Sequence, residues 1–93
     1  MVTKKVYKNI IEYRNDKGQL HREDGPAREW SDGDKYWYIN GQRHREDGPA
    51  VEYSVGNEKC FKWYLNDEWY SNEQDWQQEI IKIKLERLKN YGN

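Results

Sequence analysis

The residue types best suited to chemistry stand together twice in this chain. His21-Arg22-Glu23-Asp24 and His44-Arg45-Glu46-Asp47 each gather an imidazole, a guanidinium and two carboxylates, and the identity continues through Gly-Pro-Ala, so seven consecutive residues recur after a shift of 23. On one strand face, His21 with Glu23 and His44 with Glu46 would offer imidazole and carboxylate ligands to a metal, although the string matches no established ligand spacing. The lone cysteine, Cys60, excludes an internal disulfide and a cysteine-based zinc site, and is expected to act as a small apolar residue. There is no Ser or Cys with a recognisable partner motif, no phosphate-cradling glycine loop and no metalloprotease helix motif. A catalytic site is usually built once, whereas a string copied together with its turn serves the repeat. The chain is therefore expected to be non-enzymatic and to carry no cofactor, with His21, Arg22, Asp24, Gly25, His44, Arg45, Asp47 and Gly48 as structural repeat residues.

Each of these has an expected task. Arg22 and Arg45 should reach the carboxylates of the adjacent turn through forked hydrogen bonds. Gly25 and Gly48 are free to take an unusual backbone geometry, and Pro26 and Pro49 open the next strand without a ladder donor. Asn40-Gly41 is a two-residue hairpin signal that puts Ile39 opposite Gln42, Tyr38 opposite Arg43, Trp37 opposite His44 and Tyr36 opposite Arg45. Arg43 and Arg45 then face Tyr38 and Tyr36, a geometry suited to cation–π ladders on the side turned from the core. In the third copy the same register puts Trp63 opposite Tyr70. An aromatic ring at the histidine position favours packing and hydrogen bonding over metal binding for His21 and His44.

These residues must be positioned by short antiparallel strands. The repeats run over 12–34 and 35–57, with a truncated third copy at 58–71, where Lys62-Trp63-Tyr64-Leu65-Asn66-Asp67 follows the pattern of Tyr36-Trp37-Tyr38-Ile39-Asn40-Gly41. Three extra residues are expected in the loop around Val55 to Lys59. Strands are expected at 28–31, 35–39, 42–46, 50–54, 60–65 and 68–70, preceded by one or two in 5–23. The fold class is thus mainly β, an antiparallel meander of hairpin repeats with about six to eight strands, closed by one helix. That helix, 72–91, follows from a change of period after Tyr70: Ser71 with Gln74 has capping-box spacing, Glu73 and Asp75 suit the positive end, Lys89 lies in the last turn and Gly92 can end it. Trp76, Ile80, Ile83 and Tyr91 form one stripe, and Ile81, Leu85 and Leu88 a second beside it.

The chain has 93 residues, enough for one domain with a modest core, and its apolar content lies in five Trp, eight Tyr and one Phe. Sixteen basic against seventeen acidic residues give a net charge of −1 with the signs interspersed, which argues against a nucleic-acid partner. The Arg and Tyr surface could stack single-stranded bases, but the dispersed acids oppose it. No apolar stretch has the length of a signal peptide core or a membrane span, so a cytoplasmic setting without membrane contact is expected.

Leu20 to Ala27 reads Leu-His-Arg-Glu-Asp-Gly-Pro-Ala, and with it the chain resembles the MORN-like repeat family, in the variety carrying that octamer in bacterial, phage and giant-virus proteins. Asn40-Gly41-Gln42-Arg43-His44 and Tyr53-x-x-Gly56 are similar to parts of an ordinary MORN unit. Arg22 and Arg45 depart from it, standing where such units usually have glycine, and the turn is longer. The resemblance covers residues 12–71 and implies a hairpin array that acts as a scaffold for proteins, its last repeat closed by a helix. From it we expect a non-enzymatic protein-interaction module of phage or mobile-element origin, acting in the host cytoplasm as an inhibitor of a host enzyme or defence system. An antitoxin-like component, a nucleic-acid-binding module and an enzyme of unknown class are the alternatives. The expected partner surface is Tyr36, Tyr38, Arg43, Arg45, Tyr64 and Trp69. The second helical stripe, Ile81, Leu85 and Leu88, is expected to join two copies as a homodimer.

Overall fold

Asn40 and Gly41 take positive φ, 49° and 80°, as the two-residue hairpin requires, and Asn66 and Asp67 repeat the turn at 50° and 68°. These two turns, with a third at Asn15 to Gln19, set the molecule's plan. The computed structural model describes residues 1–91. It is mainly β and antiparallel, with nine strands and one helix among the described residues: β1 (Thr3–Val6), β2 (Ile10–Arg14), β3 (Arg28–Trp30), β4 (Lys35–Tyr36), β5 (Tyr38–Ile39), β6 (Gln42–Arg43), β7 (Val51–Val55), β8 (Glu58–Leu65), β9 (Glu68–Tyr70) and α1 (Glu73–Tyr91). Seven strands form one sheet in the order β1-β2-β3-β4-β7-β8-β9, and β5 pairs only with β6.

The chain crosses this sheet and then enters a second row of hairpin tips. The expected strand 35–39 is therefore two strands, broken at Trp37, whose N–H goes to Ala50 O at 2.7 Å before Tyr38 pairs with Arg43. Tyr13 makes the same bond to Ala27 O at 2.8 Å. Ala27 and Ala50 have no exposed surface, because two chain segments close over each of them.

The expected strand 42–46 is shorter, ending at Arg43, since Arg45 turns its N–H to Tyr64 O at 3.3 Å in the next hairpin. Tyr36 is consequently not opposite Arg45; its register partners are Arg28 and Val51. Trp63 does lie opposite Tyr70. The three extra residues of the last copy lengthen β7 and β8 rather than widening a loop: Val55 pairs with Glu58 across Gly56-Asn57. Residues 3–6 form an edge strand on β2, whose Lys4 and Lys5 discourage pairing with a further chain.

α1 begins one residue later than its expected cap. Asn72 Oδ1 accepts the Asp75 N–H at 2.8 Å and Asn72 Nδ2 donates to Asp75 Oδ2 at 3.1 Å, so Asn72 with Asp75, not Ser71 with Gln74, satisfies the helix start. Gly92, expected to end the helix, and the Tyr91 side chain lie outside the described residues. The molecule measures 48 × 35 × 17 Å. So thin a body holds two small cores: Ala50, Val51 and Tyr64 with Tyr36, Trp37 and Tyr53, and Leu65, Trp76 and Ile80 with Trp63, Tyr70 and Ile83.

Candidate functional site

Arg45 closes its own turn. Its Nε donates to Asp47 Oδ1 at 2.8 Å, its Nη1 to Pro49 O at 3.1 Å and Glu52 Oε2 at 2.8 Å, and its guanidinium lies over the Trp37 ring at 3.8 Å. Arg22 repeats this with Asp24 at 3.0 Å, Pro26 O at 3.2 Å, Glu29 at 3.4 Å and the Tyr13 ring at 4.0 Å. The forked pairing expected of both arginines is thus a complete clamp that includes the aromatic ring. Gly25 and Gly48 serve this clamp, and the expectation of an unusual backbone at them is corrected, since neither has positive φ. A Cβ on Gly25 would lie 2.9 Å from Arg22 Cζ, and one on Gly48 2.7 Å from Arg45 Cζ. Glycine is required because the guanidinium passes directly over the backbone.

The histidines fasten each repeat to the next. Asn40 N–H donates to His21 Nδ1 at 2.9 Å, and Asn66 N–H to His44 Nδ1 at 3.0 Å. That bond fixes the tautomer, leaving the proton on Nε2, where His44 meets Glu46 Oε2 at 2.9 Å. The third copy has no hairpin beyond it to supply a turn N–H, which accounts for Tyr70 at the histidine position. With Nδ1 receiving a proton donor, these rings are built as hydrogen-bond connectors rather than as metal ligands.

Tyr13, Trp37 and Trp63 are equivalent in this scheme: His21 N–H bonds Tyr13 O, His44 N–H bonds Trp37 O, and Tyr70 pairs with Trp63. The helix covers only the third rung. Trp76 packs on Trp63 with centroids 4.7 Å apart, and its indole N–H donates to Arg45 O at 3.3 Å. Ile80 and Ile83 pack with Leu65, Trp63 and Tyr70. The period-two match of Trp37-x-Ile39 with Trp63-x-Leu65 leads one to expect all four under the Trp76, Ile80 and Ile83 stripe; Trp37 and Ile39 instead stay uncovered, because a single helix is about 10 Å across, the width of one rung of two strands. Arg87 instead anchors the helix by donating to both Glu46 oxygens at 2.7 Å. The Arg87 fork, assisted by the His44 ring and opposed by burial, holds the Glu46 carboxyl at about 2.

On the second rung a groove of about 660 Å³ stays open between residues 22–25 and residues 44–47, floored by Trp37 and Ile39. A second groove of about 650 Å³ lies one rung further on, between residues 1–4 and Tyr13 with residues 21–24. Because Arg22 and Arg45 are consumed in their clamps, carboxylates dominate the rim: the side chains of Glu23, Asp24 and Asp47 are 83, 88 and 86% exposed.

Of the six residues expected to meet a partner, only Trp69 is exposed. Tyr64 is buried, Tyr36 packs on its cluster, and Tyr38 is half-buried on β5. Arg43 stacks over Tyr64 at 4.3 Å and binds Asp67 at 2.9 Å, which lowers the Asp67 pKa. Ile81, Leu85 and Leu88 stand exposed along α1, as the second stripe requires. Sequence reasoning missed Glu12, a buried carboxylate held between Arg28 Nη2 at 2.7 Å and Arg14 Nη2 at 3.0 Å. Burial raises its pKa, but the hydrogen bonds from Arg28 and Arg14 outweigh that and hold it low. It also missed Arg87, and it weighed Glu23 only as a metal ligand beside His21, not as an exposed carboxylate on a groove rim.

Among the described residues no helix is long and apolar enough to cross a membrane. In comparisons with protein-family models, curated proteins and solved structures, the chain finds no match.

Proposed function

We propose that this chain is a non-enzymatic protein-interaction module that binds a protein partner on its open rungs. The observation that carries this reading is the groove at Trp37 and Ile39, left uncovered and rimmed by exposed carboxylates, while the reactive-looking imidazoles and guanidinia are engaged in holding the repeats together. An apolar floor with a polar rim is the make-up of a protein-recognition surface. The resemblance to the MORN-like repeat variety supports a phage- or mobile-element-encoded inhibitor of a host enzyme or defence system, and likewise an antitoxin-like role. The test is stoichiometric co-purification from bacterial lysate, comparing the parent with Glu23→Gln and Glu23→Lys. Glu23 is exposed and takes no part in the Arg22 clamp, so both changes leave the fold in place. Retention of one partner by the parent and its loss from both variants is expected; undiminished retention by both would overturn binding at the groove.

A homodimer is a second reading, favoured by a specific observation. Ile81, Leu85 and Leu88 are 51, 54 and 67% exposed in one line. Lys82 and Lys89 are paired with Glu79 and Glu86, each at 3.7 Å, so the stripe has no rim of uniform charge to repel a second copy.

A further inference from the structure

The site that holds α1 exists twice, and only one copy is filled. The filled one consists of Trp63 and Leu65 on the floor, the Arg45 carbonyl, which accepts the Trp76 indole N–H, and Glu46, which takes the Arg87 fork. One repeat earlier the same places hold Trp37, Ile39, the Arg22 carbonyl and Glu23. Their relative placement is set by the same bonds: Arg22 N–H to Tyr38 O at 3.1 Å matches Arg45 N–H to Tyr64 O at 3.3 Å, and Asn40 N–H to His21 matches Asn66 N–H to His44. Trp37, Ile39, Arg22 and Glu23 all line the open groove. Glu46 has its guanidinium; among the described residues Glu23 has only His21 Nε2 at 3.9 Å and its side chain is 83% exposed.

We propose that this groove binds an amphipathic helix of a partner protein, presenting an aromatic residue, two aliphatic residues and an arginine at the spacing of Trp76, Ile80, Ile83 and Arg87. The inference rests on the interaction-module reading and names the occupant. The arginine forks onto Glu23 as Arg87 does onto Glu46. A helix moved by one rung is displaced by about 10 Å, two strand spacings, which is also the distance between packed helices, so the guest lies alongside α1. One element differs between the rungs. Arg45 lies over Trp37, whereas the third copy has Ser71 at the matching sequence position, after Tyr70, so docking at the groove leans more on the arginine–carboxylate fork than on ring stacking. A second copy is the less favoured occupant, because its own α1 is already held by an intramolecular site of the same composition.

The probe is a synthetic peptide of residues 71–91, titrated into the full chain by calorimetry. One-to-one binding is expected, weakened about ten- to a hundredfold by Glu23→Gln in the protein or by Arg87→Gln in the peptide. No binding, or binding indifferent to Glu23→Gln, would overturn the proposal, the latter by showing displacement of the chain's own helix. Oligomers of the unmixed full chain that dissociate on Glu23→Gln would also overturn it, by assigning the groove to a second copy. If the peptide fails while co-purification still depends on Glu23, the helical occupant falls and the interaction module stands; if both fail, both fall.

Discussion

Arg87 lies 41 positions beyond Glu46 in the chain, yet its two terminal nitrogens each stand 2.7 Å from an oxygen of that carboxylate. The fork ties the far end of α1 to the second repeat, while Trp76 ties the near end to the third. Between them the helix bridges two repeats and leaves the rungs of Trp37 and Tyr13 open.

The pH dependence of that fork has a definite sign. Glu46 falls from an ordinary 4.5 to about 2 in the folded chain, so the unfolded chain binds more protons in this range. Stability from the group is fully present above about 4.5 and is lost as pH falls toward 2. The expected outcome is that Arg87→Gln lowers the thermal midpoint at pH 7 by a few degrees and flattens its decline between these two values. An unaltered acid profile in the variant, followed by circular dichroism at 222 nm, would show that the fork does not form in solution.

Gly48 is expected to tolerate alanine only when Arg45 is absent. Its φ is ordinary, so the cost arises from the Cβ meeting Arg45 Cζ at 2.7 Å. Gly48→Ala alone should destabilise by about 1–3 kcal/mol, as overpacked positions do. In an Arg45→Ala background the same change should be neutral, or stabilising by up to about 1 kcal/mol through the stiffer unfolded chain. Urea titration of the four proteins of this cycle gives the answer, and an equal cost in both backgrounds would return Gly48 to a backbone role.

Glu12 opposite Arg28 occupies the place that Tyr36 opposite Val51 occupies one repeat later. One repeat solves the position with ions and the next with apolar packing. Removing the carboxylate alone, Glu12→Gln, is expected to cost about 2 kcal/mol because two half-buried guanidinia lose a charged partner. The pair Glu12→Tyr with Arg28→Val, copying the second repeat, should be milder than Glu12→Gln. A double variant less stable than that single variant in urea titration would show the two repeats not to be interchangeable here.

What could be read from the sequence was what a turn enforces locally. Asn40-Gly41 fixes two φ angles, and from them Ile39 opposite Gln42, Tyr38 opposite Arg43 and, by repetition, Trp63 opposite Tyr70 all follow. The same extrapolation failed one step further out, at Tyr36 and Arg45, because the Arg45 N–H leaves its own hairpin for Tyr64 in the next. A repeated string shows that its contacts recur, not which neighbour receives them. The glycine of Asp-Gly-Pro looked like a backbone demand for the same reason: an arginine three residues earlier gives no sign that it folds back over the turn. Arg87 was illegible for another reason, since nothing local selects one carboxylate among seventeen for a cation on a distant helix.

The second stripe of α1 supplies the last expectation. Ile81, Leu85 and Leu88 face away from the sheet contacts made by Trp76, Ile80 and Ile83, and Leu85 stands at the middle of the line. The sheet leaves so little buried surface that no large side chain among the described residues is fully enclosed, and a second copy laid on this stripe would add to a small core. Leu85→Glu places a charge in the centre of such a seam without touching the residues that dock α1 on its own sheet. In sedimentation velocity at micromolar concentration the parent should run as a dimer and Leu85→Glu as a monomer of lower thermal stability. A monomeric parent would remove the homodimer. A dimer that survives Leu85→Glu would move the contact off this stripe, and the exposed Trp69 would then be the next residue to vary.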